Sequence, residues 1–273
     1  DMLKYEKHSV PFSNTSEYYN EICRMINMFI SSLEYPPEQI LGVGIALQAL
    51  ISADGREIIY GKILDCAGLT IEELSSRIPY HCSFCHDAEA MANVELWFDP
   101  FLQNAIYLNI RSDVSGSIII NRSFFQDGAY KSGIFEHTIM VPDGQPCYCG
   151  KKGCVNAYCS ISSLLRPQED IKTFFFKLRK GTASYERRWN KYLNYLAMAI
   201  DNFHMIINSN VILAGTLAKY LADDDIELLH LLIQNKSAFP TAEKYISISN
   251  YSNLPACMGA ALPLVQDYLD SIM

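Results

Sequence analysis

Residues 135–159 read Phe-Glu-His-Thr-Ile-Met-Val-Pro-Asp-Gly-Gln-Pro-Cys-Tyr-Cys-Gly-Lys-Lys-Gly-Cys-Val-Asn-Ala-Tyr-Cys, and the rest of the chain can be interpreted outward from this stretch. Cys147, Cys149 and Cys154 fall within eight residues, and His137 precedes the first of them by ten. Three thiolates and one imidazole make a complete tetrahedral ligand set for Zn²⁺, with no position left open for catalysis. The pattern therefore predicts a structural zinc site.

The residues between these ligands favour a tight loop. Gly150 and Gly153 allow a short segment to fold back so that three sulfur atoms converge. The alternative is that the three cysteines are ordinary buried or surface residues. The preceding Pro-Asp-Gly-Gln-Pro is typical of turns and not of a core, which disfavours that alternative. Cys159 is predicted to lie on the following helix and to belong to the hydrophobic core.

Composition excludes several classes of protein. The chain has 273 residues, of which 49% are hydrophobic and 19% charged, as in ordinary globular proteins with one large domain or two lobes. A net charge of −8 argues against DNA binding by this chain alone, because gripping phosphates needs a basic face. The longest apolar run, 41–53, is too short to span a bilayer and predicts a buried strand.

Cysteine usage indicates the compartment. Nine cysteines, an odd number scattered through the chain, do not form a disulfide pattern. Reduced thiols together with a metal loop predict a cytoplasmic protein that does not associate with membranes. The chain begins at Asp1 without an initiator methionine, which leads us to expect a fragment of a longer product.

Apolar periodicity predicts strands that alternate with helices, and hence an α/β protein with mixed sheets. The predicted strands are 1–12, 39–53, 57–60, 79–82, 104–110, 117–121, 211–214 and 245–248. The predicted helices are 14–33, 70–77, 87–98, 160–165, 169–178, 184–207, 225–234 and 255–272, the last containing small residues at 259–261 that permit close packing.

The motif Cys-x-Cys-Gly-x-x-Gly-Cys, preceded by a histidine and a Pro-Asp-Gly turn, resembles the zinc loop of the ROK family of bacterial repressors and sugar kinases. Other segments resemble this family in the same order along residues 40–265. They are Leu41–Ala46, His86-Asp87-Ala88, Ile118–Asn121, Val211–Gly215 and Gly259–Ala261.

The resemblance implies a two-lobed fold of the actin/hexokinase (ribonuclease H-like) type, with mixed sheets. Residues 1–110 would form a smaller N-terminal lobe that lacks the family's first phosphate hairpin. Residues 111–273 would form a larger, helical C-terminal lobe with the zinc loop, the dimerisation helices and the closing helix.

The family's phosphate-binding elements are degraded in this chain. Its first hairpin, Asp-x-Gly-Gly-Thr, does not occur. Its second, glycine-rich loop corresponds to Asp113-Val114-Ser115-Gly116-Ser117, in which only Gly116 remains and Asp113 adds a negative charge. The adenosine-side turn reads Ala214-Gly215-Thr216. We therefore expect that ATP is not used and that Zn²⁺ is the only cofactor.

The resemblance also names candidate ligand residues. Asp87 matches the family's general base, and here it is expected only to bind a ligand; a helix N-cap is the equally weighted alternative. His86, Glu136, His137 and Asn156 complete the predicted sugar-binding set. Ile134 stands where the family has a sugar-binding glutamate, so the ligand is expected to be held differently from a plain hexose.

Two further patterns have simple interpretations. His81-Cys82-Ser83-Phe84-Cys85-His86 could hold a second metal, but buried thiols are favoured because no partner pair lies nearby in sequence. The basic runs 177–180 and 187–188 are interpreted as solvated helix faces.

These observations predict the sugar-effector-binding and dimerisation domain of a ROK-type transcriptional regulator, without kinase activity. DNA would be bound only by an N-terminal helix-turn-helix that this chain does not contain, and the chain would form homodimers. The first alternative is a divergent ATP-dependent sugar kinase of the family. The second is a ligand-free module retained for dimerisation.

Overall fold

The computed structural model describes residues 2–125, 133–251 and 256–272. The described residues form two compact units. Unit 1 comprises residues 2–98 and 256–272, and unit 2 comprises residues 99–125 and 133–251. The sequence-based division at residue 110 differs in two respects, since the strand that begins at Ala105 lies in unit 2 and the closing helix lies in unit 1.

Helices and strands alternate along the chain, as predicted. In chain order they are α1 (Ser16–Ser31), β1 (Val43–Leu47), β2 (Leu50–Ile51), β3 (Ile58–Tyr60), α2 (Glu72–Ser75), β4 (Cys82–His86), α3 (Asp87–Phe98), β5 (Ala105–Ile110), β6 (Val114–Ile120), β7 (Ser123–Phe124), α4 (Asn156–Cys159), α5 (Ile161–Leu164), α6 (Ile171–Arg179), α7 (Ala183–Ile206), β8 (Asn210–Ala214), α8 (Gly215–Ala218), α9 (Asp223–Gln234), β9 (Ile246–Ile248) and α10 (Ala256–Ile272).

Unit 1 is built around one parallel and one antiparallel strand pair. β1 pairs in parallel with β4, and β2 pairs with β3 across the turn at Gly55, whose φ of 68° is in the left-handed region that favours glycine. α10 packs so closely against β1 that a Cβ at Gly44 of β1 would lie 2.1 Å from the Ala260 carbonyl oxygen of the helix. The small residues predicted to permit close packing of this helix therefore do so.

Three predictions for unit 1 differ from the structure. Residues 2–12 form no strand and are mostly exposed, because none of the strands in the described part of the chain pairs with them. The single strand predicted over 39–53 is divided into β1 and β2 and is half-buried, with a bend at residues 48 and 49. The strand predicted at 79–82 begins at Cys82 and continues to His86.

Unit 2 contains a mixed five-stranded sheet in the order β7-β6-β5-β8-β9. β5 is antiparallel to β6 and parallel to β8, and β8 is parallel to β9. All six residues of β5 are buried, as expected for a central strand covered on both faces. α7 packs on this core through the apolar stripe that includes Leu193, Leu196 and Ile200.

The sequence-based strand at 117–121 starts earlier in the structure. β6 begins at Val114, so Ser115 and Gly116 also lie within the sheet and not in a loop. Ser115 and Ser117 are buried there, which a count of large apolar residues does not reveal. Among the described residues, no helix is both long and apolar enough to cross a membrane.

Candidate metal centre and ligand-binding residues

The four predicted metal ligands come together in unit 2. One donor atom from each of His137, Cys147, Cys149 and Cys154 lies within 4.8 Å of every other. The Cys147 sulfur is 3.7 Å from His137 Nδ1, and the sulfur atoms of Cys149 and Cys154 are also 3.7 Å apart. Among the described residues this is the only group of three or more such side chains that could hold a metal ion.

The spacing fits a tetrahedral metal ion. With Zn–S bonds of about 2.3 Å, a regular tetrahedron has sulfur–sulfur edges of about 3.8 Å. The observed sulfur–sulfur separation of 3.7 Å matches that edge and is far longer than a disulfide bond of about 2.0 Å. The donor set and its geometry therefore fit Zn²⁺ in a closed site.

Backbone hydrogen bonds fix the loop that carries the cysteines. The amide of Cys147 donates to the Lys151 carbonyl at 2.8 Å, and the amide of Gly150 donates to the Cys147 carbonyl at 2.9 Å. The amide of Gly153 donates to Gln145, which brings the ends of the loop together. This internal ladder presents Cys147, Cys149 and Cys154 from one short segment.

Gly153 is required by this geometry. Its φ is 82°, and a Cβ there would lie 1.9 Å from the Val141 carbonyl oxygen. The Gly153 carbonyl in turn accepts hydrogen bonds from the amides of Met140 and Val141. A side chain at this position would push apart the two strands of the loop.

Tyr158 also supports the loop, a role that no sequence pattern indicated. Its hydroxyl accepts a hydrogen bond from the Gln145 amide at 2.7 Å. A Cβ at Gly144 would lie 2.0 Å from the same hydroxyl oxygen, so Gly144 and Tyr158 fit only as a pair. Tyr158 is four residues beyond Cys154 and thus links the loop to α4.

The three thiols have different affinities for protons. Burial raises the pKa of Cys147, and it raises the pKa of Cys154 to about 12. Burial also acts on Cys149, but the Lys151 amide and the neighbouring thiols outweigh it and lower the pKa of that thiol. Thiolates this close repel one another, and a divalent cation between them would stabilise all three.

The Cys-x-x-Cys segment of unit 1 has a different arrangement. Cys82 and Cys85 are three positions apart in β4, and residues so spaced lie on opposite faces of a strand. Burial raises the pKa of both thiols, that of Cys85 to about 12. This geometry favours two separate, protonated thiols over a shared metal.

His86 and Asp87 lie side by side in unit 1. β4 ends at His86 and α3 begins at Asp87, whose side chain is buried. His86 Nε2 is 3.7 Å from Asp87 Oδ1. The carboxylate stands in the first turn of α3, where the helix dipole favours a negative charge.

The turn between β5 and β6 is closed by Asn156. The side-chain oxygen of Asn156 accepts a hydrogen bond from the Val114 amide at 2.7 Å, and its side-chain nitrogen donates to Asp113 Oδ1 at 3.0 Å. The Arg111 amide donates to the Asp113 carbonyl. Asn156 thus connects the start of α4 to this turn. The sequence predicted Asn156 only as a sugar-binding residue and did not indicate this structural contact.

The glycines at this end of the sheet are packed against side chains. A Cβ at Gly116 would lie 2.5 Å from the Phe135 ring, and one at Gly215 would lie 2.5 Å from Asn109 Oδ1. Asn109 itself donates to Ser115 Oγ at 3.1 Å. The absence of a side chain at these two glycines therefore allows Phe135 and Asn109 to pack directly against the backbone.

Glu136 and His137 occupy one short 3₁₀ turn, Phe135–His137. Glu136 is buried, and His137 contributes its Nδ1 to the metal group. Ile134, which stands where the resemblance expects a sugar-binding glutamate, precedes this turn and is half-buried. The structure thus places Glu136 directly beside a member of the candidate metal group.

The chain belongs to the ROK family, whose model matches residues 2–266. The xylose repressor of Bacillus subtilis is 23% identical over 281 residues, which cover 95% of this chain and 70% of the repressor. The N-acetylmannosamine kinase of Haemophilus influenzae is 29% identical over 157 residues, which cover 50% of this chain and 52% of the kinase. The alignment therefore spans about half the length of that kinase.

A solved structure confirms the fold class. A ROK family glucokinase from Streptomyces griseus, in complex with glucose and AMPPNP, superposes with a TM-score of 0.78 at 16% identity. The match covers 94% of this chain and 89% of that one. The predicted actin/hexokinase-like fold is thereby confirmed. The relatives include both repressors and sugar kinases, so family membership alone does not assign either role.

Proposed function

We propose that this chain is the sugar-effector-binding and dimerisation domain of a ROK-type transcriptional regulator, and that it has no kinase activity. The observation that carries the proposal is the turn between β5 and β6. There the Val114 amide is already bound by Asn156, and the Asp113 carboxylate is held in place by the same side chain.

The physical argument concerns phosphate binding. Catalysis of phosphoryl transfer depends on free backbone amides and cations that surround the phosphates. The β5–β6 turn instead supplies a fixed negative charge, and the amides of Arg111 and Val114 are already used. An ATP phosphate at this turn would meet repulsion and would have to break existing hydrogen bonds.

The metal is proposed to be Zn²⁺ in a structural role. His137, Cys147, Cys149 and Cys154 would fill all four positions of the ion and leave none for water or substrate. The ion would hold residues 139–154 against the 3₁₀ turn that carries Glu136. Metal and ligand residues would then be coupled through His137, which belongs to both predicted sets.

The effector is proposed to be a sugar or a sugar derivative. Two relatives are named for xylose and for N-acetylmannosamine. His86 and Asp87 of unit 1, and Glu136, His137 and Asn156 of unit 2, remain the proposed ligand residues. Buried carboxylates such as Asp87 and Glu136 are suited to accept hydrogen bonds from sugar hydroxyls.

The proposed partners follow from the kinship with a repressor. DNA would be bound by a helix-turn-helix segment outside this chain, and the chain would pair with a second copy through the helices of unit 2. A cytoplasmic location is proposed from the reduced cysteines.

The proposal is tested by two measurements on the same purified chain. Thermal unfolding is recorded with D-xylose, D-glucose, N-acetylglucosamine and N-acetylmannosamine, and release of ADP is recorded with each sugar and ATP. A sugar at about 100 times its Kd stabilises the folded state by about 2.7 kcal/mol, so a clear rise in Tm is expected with one of them and no ADP release. ADP release that depends on a sugar would overturn the proposal.

One observation favours the alternative of a divergent sugar kinase. Asp87 is buried at the start of α3 with His86 beside it, an environment that suits a general base. If the chain is a kinase, Asp87→Asn abolishes sugar-dependent ADP release while sugar binding persists. If it is an effector domain, the same variant changes only the sugar-dependent shift in Tm.

A further inference from the structure

The helical hairpin of α6 and α7 carries an excess of positive charge that the composition of the chain conceals. Seven of the 22 lysines and arginines lie in residues 171–191, together with one acidic residue, Glu186. Seven cations less one anion give this segment a charge of +6, although the whole chain has a charge of −8. The positive charge is therefore concentrated in this hairpin and is not a property of the whole chain.

Two of these cations have structural partners. Arg179 is paired with Asp225, and Arg188 with Glu169. The other five lie on the exposed faces of the hairpin, and no carboxylate of the described residues is within ion-pair distance of them. They are Lys172, Lys177, Lys180, Arg187 and Lys191.

The five residues occupy the side of each helix that faces away from the core. In α6, Phe174, Phe175 and Leu178 are buried, whereas Lys172, Phe176 and Lys180 follow at intervals of four residues and form one exposed stripe. In α7, Trp189 and Leu193 are buried, and Arg187 and Lys191 are neighbours on the opposite face. Gly181, with a φ of 73°, allows the tight connection between the helices.

An apolar side chain lies in the middle of the exposed stripe of α6. Phe176 is 59% exposed, and Lys180 Nζ lies 4.3 Å from the centre of its ring. Lys177 Nζ lies 5.9 Å from the ring of Tyr185 on α7. These cations rest over aromatic rings and not beside carboxylates, so their ammonium groups remain available to an incoming anion.

We propose that this surface, formed by Lys172, Phe176, Lys177, Lys180, Arg187 and Lys191, docks an acidic segment of another protein that carries at least one apolar side chain among its carboxylates. The carboxylates would pair with the five cations, and the apolar side chain would pack on Phe176. A buried aromatic anchor inside a polar rim is the usual composition of a protein interface.

The exposed phenylalanine favours a protein over nucleic acid or membrane. Duplex DNA would satisfy the cations but would place sugar and phosphate, and no apolar group, against Phe176. A membrane-binding helix needs a wide apolar face, and α6 buries its apolar face in unit 2. Charge and a single apolar anchor together match an acidic amphipathic peptide.

The test selects peptides from a random library displayed on phage, with the 273-residue chain as the target. Selection is done at near-physiological salt, where exposed charges farther apart than about 8 Å are largely screened. Phage that also bind the variant Lys172→Glu/Lys180→Glu/Arg187→Glu are removed. The expected survivors are rich in Asp and Glu and contain Leu, Ile or Phe at a fixed spacing from them.

The consensus peptide is then synthesised and its affinity measured by fluorescence anisotropy. Phe176→Ala and Lys172→Glu/Lys180→Glu should each weaken binding about tenfold or more, equal to about 1.4 kcal/mol. The matched controls are Phe239→Ala, an exposed phenylalanine elsewhere in unit 2, and Lys62→Glu in unit 1. Both controls should bind as the unmodified chain does.

Three results would overturn the proposal. One is that no acidic peptides survive the selection, and another is that Phe176→Ala leaves their affinity unchanged. The third is that a labelled DNA duplex, or vesicles containing phosphatidylserine, bind this surface more tightly than the peptide and lose affinity in the charge-reversed variant. None of these results bears on sugar binding or on ADP release, so the proposed function is judged separately.

Discussion

The metal loop at 139–154 and the β5–β6 turn at 111–114 are both short connections in unit 2, and they treat an external ion in opposite ways. In the metal loop, backbone hydrogen bonds are satisfied internally, and the side chains of Cys147, Cys149 and Cys154 converge with that of His137 on one point. In the β5–β6 turn, Asn156 takes up both the Val114 amide and the Asp113 carboxylate. The first arrangement invites a cation, whereas the second leaves little for an anion to bind.

This difference teaches that two short connections of one fold can satisfy their polar groups in different ways. A buried polar group has to find a partner, and that partner can be a bound ion or another side chain. The metal loop would depend on a bound cation, as proposed above. In the β5–β6 turn the partner is the Asn156 side chain, so the turn needs no ion.

Removal of a metal ligand should have the largest effect. Cys154 is fully buried, and Cys154→Ser should reduce bound zinc from about one ion per chain to a small fraction and lower Tm strongly, because structural zinc contributes about 10–16 kcal/mol of binding free energy. Zinc content is measured by mass spectrometry and Tm by circular dichroism. Cys257→Ser, at an exposed cysteine outside the cluster, is the control. Retention of zinc by the Cys154 variant would show that the loop is not a metal site.

Gly153→Ala should come next. The new methyl group would clash with the Val141 carbonyl oxygen, and alanine at position 153 would also have to adopt a left-handed backbone conformation. We therefore expect a loss of about 2–4 kcal/mol in the free energy of unfolding. Gly181→Ala is the matched control, because Gly181 also has a positive φ but only the flexible end of Glu186 lies near. Urea denaturation of both variants should give a clearly larger loss at Gly153. Equal losses would mean that conformation, and not the contact with Val141, sets the cost.

Asn156→Ala tests the other region. The variant would leave the Val114 amide without its side-chain partner and release Asp113, at a cost of about 1–3 kcal/mol. Asn190→Ala, at an exposed position in α7, should change the free energy of unfolding little. The Asn156 variant should keep its zinc, since no metal ligand is altered. A loss of zinc would show that the two regions are not independent.

The smallest effect is expected for the ion pair between Arg188 and Glu169, which lies outside both regions of unit 2. Burial raises the pKa of Glu169, but hydrogen bonds from the Arg188 side chain and the Arg166 amide outweigh it and lower that pKa. A depressed pKa stabilises the fold above the unfolded value of about 4.3, and this contribution disappears as the pH falls through the folded pKa.

Glu169→Gln should therefore lower the free energy of unfolding by about 1 kcal/mol at neutral pH, and the difference should vanish in strong acid. The measurement is urea denaturation as a function of pH. Glu227→Gln removes an exposed pair with Lys244 and should have a weaker effect that salt screens. A loss at Glu169 that grows as the pH falls would contradict the assigned sign.

Local sequence signals were sufficient for much of the fold. α3 spans the predicted residues 87–98, and α7 and β5 lie within one residue of their predicted bounds. α7 carries a periodic apolar stripe and β5 is a continuous apolar run, and such signals come from residues that are neighbours along the chain. Spacing alone also predicted which four side chains come together in the candidate metal group, because three of them lie within one short loop.

Contacts between distant residues could not be predicted in this way. The alternating residues at 1–12 predicted strands, but a strand forms only where a partner accepts its hydrogen bonds. The sequence predicts the strand to start only at Ser117, although the contacts of Gly116 with Phe135 and of Ser115 with Asn109 fit β6 from Val114 onward. Asn156 was identified only as a ligand residue, yet it binds residues more than forty positions earlier.

By itself the sequence determined the family, the alternation of strands and helices, and the four side chains of the candidate metal group, since each depends on residues close together in the chain. Tertiary structure alone decided that the β5–β6 turn is closed by Asn156 and that five cations, which have no carboxylate partner among the described residues, lie on the exposed faces of one hairpin. The physical reason is that hydrogen bonds and charge pairs depend on distances in space. The order of residues fixes those distances only after the chain has folded.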